Sequence, residues 1–168
     1  MGSALISSAP VALSSLTTMQ VGGVPKNIIT CQNTELLYKT VADLWDSDES
    51  FQLLAGGSNT VFADDLDDWT IVLVANRGIE VVSEDNESVL VQVQAGHSWD
   101  EFVAWAVEND YAGIEAMSGI PGSVGATPVQ NVGGYGQEVS QVITQAEFLD
   151  QATGELAVKP AEFFEFSY

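Results

Sequence analysis

A chain of 168 residues that is 46% hydrophobic, with four Trp and seven Phe, is long and apolar enough to bury a real core as one domain or two small lobes, which excludes disorder. Twenty-four acidic side chains against Lys26, Lys39, Arg77 and Lys159 give a net charge of −20, so neither nucleic acid nor an anionic membrane is expected as a partner. Cys31 and His97 are single residues of their kinds, which excludes a disulfide framework and argues against a zinc site or a Ser-His-Asp triad within the chain.

Residues 1–16 carry no Lys or Arg, are interrupted by Pro10, and read as a flexible leader, not as a secretory signal. No run is long and apolar enough to span a bilayer, and a cytoplasmic protein is expected. Asn27 to Cys31 predicts a strand. Asn33 or Thr34 can cap the helix that follows, with Leu36, Leu37, Val41 and Leu44 on its buried face. Phe51–Leu54 and Ile71–Val74 read as strands on either side of a Gly-Gly turn, completing a small α/β lobe. Strands Ile79–Ser83 and Val89–Gln94 follow, joined by the acidic turn Glu84–Glu87. Ser98 and Glu101 have the spacing of a reciprocal capping box, and His97 just before them is expected on a surface or loop. The helix they open should bury Trp99, Phe102, Val103, Ala106 and Val107. Ala146–Asp150 and Leu156–Lys159 flank Ala152-Thr153-Gly154 as a hairpin, and Pro160 opens a short helical turn. The lobes are drawn at 17–77 and 78–168.

Beyond the uncharged first 25 residues, two neutral stretches stand out against 28 charged side chains. Ser50 to Ala63 has none, and Ala116 to Gln137, bracketed by Glu115 and Glu138, has none in 22 residues. With so few cations, an anionic ligand would be met by backbone N–H groups and hydroxyls, which glycine brings close. Leu54-Ala55-Gly56-Gly57-Ser58-Asn59-Thr60, a turn after a strand, reads on these grounds as a pyrophosphate cradle; by itself a plain surface turn is the simpler reading. Residues 118–136 hold six glycines and two prolines, a shaped loop without the strand-turn-helix setting of a dinucleotide fingerprint. Gln130 and Asn131 offer amides suited to the heteroatom edge of a flavin or base. An Ω-like loop packing on itself is the alternative.

Leu54 to Thr60, together with Ile120-Pro121-Gly122-Ser123-Val124-Gly125-Ala126-Thr127-Pro128-Val129-Gln130-Asn131-Val132-Gly133-Gly134-Tyr135-Gly136, resembles UDP-N-acetylenolpyruvoylglucosamine reductase of peptidoglycan synthesis. Leu16 to Gly23 resembles that family's first ordered segment. The resemblance implies an α+β, two-lobed FAD-binding fold of the vanillyl-alcohol-oxidase/PCMH type, with FAD between the lobes. Gly56, Gly57, Ser58 and Asn59 would hold the pyrophosphate, and Leu54, Ala55 and Thr60 beside them would also belong to the cofactor site. Gly119, Ile120, Pro121, Gly122, Gly125, Ala126, Pro128, Gln130, Asn131, Gly133, Gly134, Tyr135 and Gly136 would wrap the flavin. NADPH would reduce the flavin, which passes hydride to the enolpyruvyl group of the UDP-sugar substrate. A serine would protonate the neighbouring carbon, with an arginine and a glutamate stabilising the intermediate. The family's arginine follows a tyrosine matching Tyr168, the last residue here, so none of these three groups is expected in the chain. Tyr168 would line the substrate site; a third, substrate-closing domain is expected to be absent, and the chain to be inactive by itself and monomeric. Another flavoprotein oxidoreductase of the same fold class, or a fragment that binds no flavin, are the alternative readings.

Overall fold

The computed structural model describes residues 7–167 and divides into two compact units, Met1–Asn76 and Arg77–Tyr168. Residues 1–6 of the expected leader and Tyr168 lie outside the described residues.

The first unit is a four-stranded sheet with one helix. Strands β1 (Ser7–Ser8), β2 (Asn27–Cys31), β3 (Ser50–Leu54) and β4 (Trp69–Val74) lie in the order β1-β2-β4-β3, with α1 (Thr34–Trp45) between β2 and β3 in sequence. β2 and β3 both pair parallel to β4, and β1 adds antiparallel to β2. A strand covered on both faces reads as a continuous apolar run, and Thr70, Ile71 and Val72 of β4 are consecutively buried. Val72 packs with Cys31, and with Leu36 and Leu44 of α1. Ile71, pointing the other way, packs with Leu13, Ile28, Leu54 and Leu66. Asn33 caps α1, its side chain accepting from the N–H of Leu36 at 2.8 Å.

Leu13 corrects the reading of 1–16 as a loose leader. It is fully buried on the sheet face opposite α1, in a 3-10 turn over Leu13–Ser15 whose N–H groups donate to Gly23 and Gly22 carbonyls at 2.9 and 3.1 Å. A parallel sheet must be covered on both faces, and here the second cover comes from a segment too short and Ser-rich to show a period.

The second unit has one helix and three two-stranded ribbons among its described residues. These are β5 (Ile79–Glu84) with β6 (Val89–Val93), β7 (Gly133–Gly134) with β8 (Gln137–Glu138), and β9 (Gln145–Leu149) with β10 (Leu156–Pro160). A register shift between Val81 and Ser83 bulges β5. Helix α2 (Trp99–Glu108) buries Trp99, Val103 and Ala106 against Ile114, Met117, Val132 and Val139. Val107, expected in that core, is 52% exposed. The partners of α2 are loop segments, so its buried stripe is narrow and the flank carrying Val107 faces outward. Half of the expected capping box forms: Ser98 Oγ accepts from the N–H of Glu101, while the Glu101 carboxylate turns to Arg77 Nη1 at 3.0 Å.

Candidate functional site

The turn after β3 lies beyond the carboxyl end of a strand in a parallel sheet, the side on which open α/β sheets take ligands. Leu54 anchors it in the core, 2% exposed, whereas Gly56 and Asn59 are exposed and Ala55, Ser58 and Thr60 are half-buried. Gly57 is buried with φ +66°, and a Cβ there would run into the carbonyl oxygen of Leu16. Its own carbonyl accepts from the N–H of Thr18 at 3.0 Å. The backbone of 16–18 therefore holds the turn, and the glycine that permits this contact is set by packing as well as by φ.

In the second unit, the neutral loop runs alongside the approach to α2. Val124 and Gly125 donate to the carbonyls of His97 and Ala95 at 2.9 and 2.8 Å, and Trp99 N–H donates to the carbonyl of Gly122 at 3.1 Å. Ser98 and Ser123 pair as an antiparallel bridge. Asp100 holds the entry to the loop, its Oδ1 accepting from the N–H of Gly119 at 2.6 Å and from Ser118 Oγ at 3.1 Å. Gly119 (φ +77°) has open space where a Cβ would be. A 3-10 run over Val124–Gln130 contains Pro128 and ends at Asn131 in the left-handed region (φ 44°, ψ 59°). Tyr135 (φ 52°) and Gly136 (φ 89°) then form the two-residue tip between β7 and β8, the positive pair that suits a tight hairpin. Tyr135 is 97% exposed.

Asn131 is not an idle amide. It is buried; its Nδ2 donates to Glu138 Oε2 at 2.9 Å and its Oδ1 accepts from the N–H of Ser140 at 3.2 Å. Around it opens a hollow of about 370 Å³ lined by Ile120, Gln130, Asn131, Val132, Gly133 and Ser167. Five of those six belong to the neutral loop. Two apolar side chains, two amides, a hydroxyl and a bare glycine make an uncharged wall, which fits a planar, polar-edged heteroaromatic group and disfavours a carboxylate or an ammonium.

Electrostatics around the loop are arranged at its rim. The Glu115 carboxyl is held below its ordinary value by backbone hydrogen bonds at Glu115 and Gly113, then by the Gln137 side chain, so the ionised form is favoured where the neutral run begins. Gln137 Oε1 also accepts from the N–H of Ala116 at 2.8 Å. Two buried polar atoms beside the loop have no partner, His97 Nδ1 and Ser123 Oγ. His97, expected on a surface or loop, is half-buried in the turn before α2. Among the described residues no cluster of His, Cys, Asp and Glu is suited to a metal, and no helix is long and apolar enough to cross a membrane.

Sequence reasoning missed Asp100, Glu138 and Ser140, which hold the loop from outside it. The signal available was position: Glu138 is the first charged residue after the neutral run, and Asp100 lies in the first turn of the helix that the loop packs against. Tyr168, expected at a substrate site, lies outside the described residues.

The chain resembles known proteins in both sequence and fold. A family profile described as an FAD binding domain matches residues 25–158. The chain is 46% identical over 147 residues to the UDP-N-acetylenolpyruvoylglucosamine reductase of Leifsonia xyli subsp. xyli, covering 88% of this chain and 39% of that protein. It is 45% identical over 156 residues to the enzyme of the same name from Salinispora arenicola, covering 93% and 43%. The chain thus spans about two fifths of the length of these relatives. Among solved structures, the UDP-N-acetylenolpyruvylglucosamine reductase of Thermus caldophilus superposes with a TM-score of 0.72 at 26% identity, over 98% of this chain and 56% of that one. Cholesterol oxidase from B. sterolicum superposes with a TM-score of 0.67 at 14% identity, over 93% and 32%, a likeness of fold alone. The α+β fold is the FAD-binding fold these flavoenzymes share. The chain belongs to the FAD binding domain family, and the two relatives it matches at 46% and 45% identity are both named UDP-N-acetylenolpyruvoylglucosamine reductase.

Proposed function

We propose that this chain is the flavin-holding part of a cytoplasmic reductase that uses NADPH to convert the enolpyruvyl ether of UDP-N-acetylglucosamine to UDP-N-acetylmuramate, in peptidoglycan synthesis. The observation that carries the reading is the uncharged hollow built by the glycine loop, in a chain 46% identical over 147 residues to an enzyme named for that reaction. Because the chain spans about two fifths of such enzymes, turnover, NADPH and the UDP-sugar are assigned to the whole protein.

Gly56, Gly57, Ser58 and Asn59 take the pyrophosphate of FAD through N–H groups and hydroxyls, framed by Leu54, Ala55 and Thr60. The absence of charge from Ser50 to Ala63 matters here, because a carboxylate brought against a phosphate would repel it. Residues 119–136 take the flavin: Ile120 and Val132 supply apolar contact, Gln130 a polar edge, and Gly119 and Gly136 positive φ with nothing in the space a side chain would fill. FAD, when bound, supplies two-electron hydride chemistry. The chain's own part is to bind that group, orient it and screen it from water.

The test is the visible spectrum of the purified chain after FAD is added and the excess dialysed away. A retained flavin band, weakened by Gln130→Glu, is expected. No band, both for this chain and for one continued past Tyr168, overturns the reading.

A further inference from the structure

Asn131, in the wall of the hollow, is hydrogen-bonded to Glu138, which does not line it. Asn131 sits at φ 44° and ψ 59°, a conformation an L residue adopts at a cost, and Asn is among the few that tolerate it. Both ends of its amide are committed within the chain, to Glu138 Oε2 at 2.9 Å and to the N–H of Ser140 at 3.2 Å. The Glu138 carboxylate also receives Ser140 Oγ at 3.4 Å and the N–H of Gln141, while Gln141 Oε1 accepts from the Glu138 N–H at 3.2 Å. One carboxylate therefore gathers a side-chain amide, a hydroxyl and a backbone N–H. Gly133 makes room for it. In the β7–β8 register Gly133 faces Glu138, and a Cβ on Gly133 would come within 2.9 Å of Glu138 Cγ.

We infer that Glu138 is a positioning residue: through Asn131 it locks the backbone of 130–133, and with it the wall of the hollow, in the shape that receives the flavin. This inference rests on the flavin reading above. It also reassigns Asn131, since an amide whose two ends are already held acts on the ligand by fixing the loop and not as a freely turning donor. The bond has a required sense. Asn131 must donate and residue 138 must accept, so a carboxylate at 131 would face a carboxylate at 138.

Three variants of the 168-residue chain test this: Asn131→Asp, Glu138→Ala, and the double variant Asn131→Asp/Glu138→Gln. Two quantities are measured, the hydrogen exchange of the Ser140 amide without flavin and the affinity for FAD by quenching of its fluorescence. Each single variant is expected to speed Ser140 exchange and to weaken FAD by at least about tenfold, the scale of one hydrogen bond to a charged group. The double variant is expected to restore both, because a glutamine at 138 donates to an aspartate at 131 in the reverse sense. Wild-type exchange and affinity in Asn131→Asp would overturn the inference, as would a double variant no better than the single, or exchange that responds while affinity does not. No measurable FAD affinity in the wild-type chain or in one continued past Tyr168, with the expected exchange pattern, overturns the flavin reading and supports the lock as a device that shapes the loop.

Discussion

Trp99 donates its indole N–H to the carbonyl of Met117 at 3.0 Å, with both residues buried. The bond joins the first turn of α2 to the segment entering the glycine loop, so the largest core side chain of this unit also sets where the loop begins. Trp99→Phe would keep much of the packing and remove the shorter of two donors to the Met117 carbonyl, leaving the Ile120 N–H at 3.4 Å. A loss of about 0.5–1.5 kcal/mol is expected. Urea unfolding reads it, and a variant as stable as the wild type would show that the loop is held by its other contacts.

Gly57 admits no side chain. An L residue at φ +66° is strained, and a Cβ would collide with the carbonyl oxygen of Leu16 and approach the Cα of Thr17 at 3.1 Å. Gly57→Ala is expected to cost more than about 2 kcal/mol, since left-handed strain alone is about 1–2. Gly136, also at positive φ but with open space around it, should lose only the strain. Melting temperatures of the two alanine variants should therefore differ, with Gly57→Ala the lower; equal values would mean that the Leu16 segment moves aside freely.

Ser123 is 5% exposed and its hydroxyl has no partner. Burying such a group without a bond costs about 1–3 kcal/mol, so Ser123→Ala is expected to raise the stability of the flavin-free chain, by roughly 1 kcal/mol or a few degrees in melting temperature. A fall in melting temperature would indicate that the hydroxyl bonds a water or a neighbour in solution.

At the start of the sheet, Lys26 Nζ donates to Glu49 Oε1 and Thr70 Oγ1 donates to Glu49 Oε2, each at 3.2 Å, linking the entries to β2, β3 and β4. The Lys26 hydrogen bond, then its charge, then the Thr70 hydroxyl hold the Glu49 carboxyl below its ordinary 4.5. A carboxyl depressed on folding stabilises the folded state fully above its unfolded pKa, and this is lost as pH falls through the lower folded value. The wild type should thus melt higher than Lys26→Gln near neutral pH, with the gap closing below about 4.5. Glu49 is solvent-exposed, so the gap should also narrow in high salt. A gap unchanged by acid would assign it to the lysine stem and not to the ion pair.

Much was legible from residues alone because local physics decided it. The Asn33 cap, the strands around Ile28, Leu54 and Ile71, and the hairpin tightened by Gly154 at φ +69° follow from spacing and turn chemistry that act within a few residues. The absence of charge from Ala116 to Gln137 marked the loop, since charge composition is readable without a fold. What tertiary structure decided was how those residues are used. Leu13 became core because the sheet needed a second cover, Val107 was left outside because α2 meets only narrow partners, and Glu101 chose Arg77 over its own helix end. Asn131 was legible as an amide, but its commitment to Glu138 and Ser140 depends on a backbone turn that brings together residues seven and nine positions apart. Composition lists which donors exist; only the folded chain determines which of them are already spent.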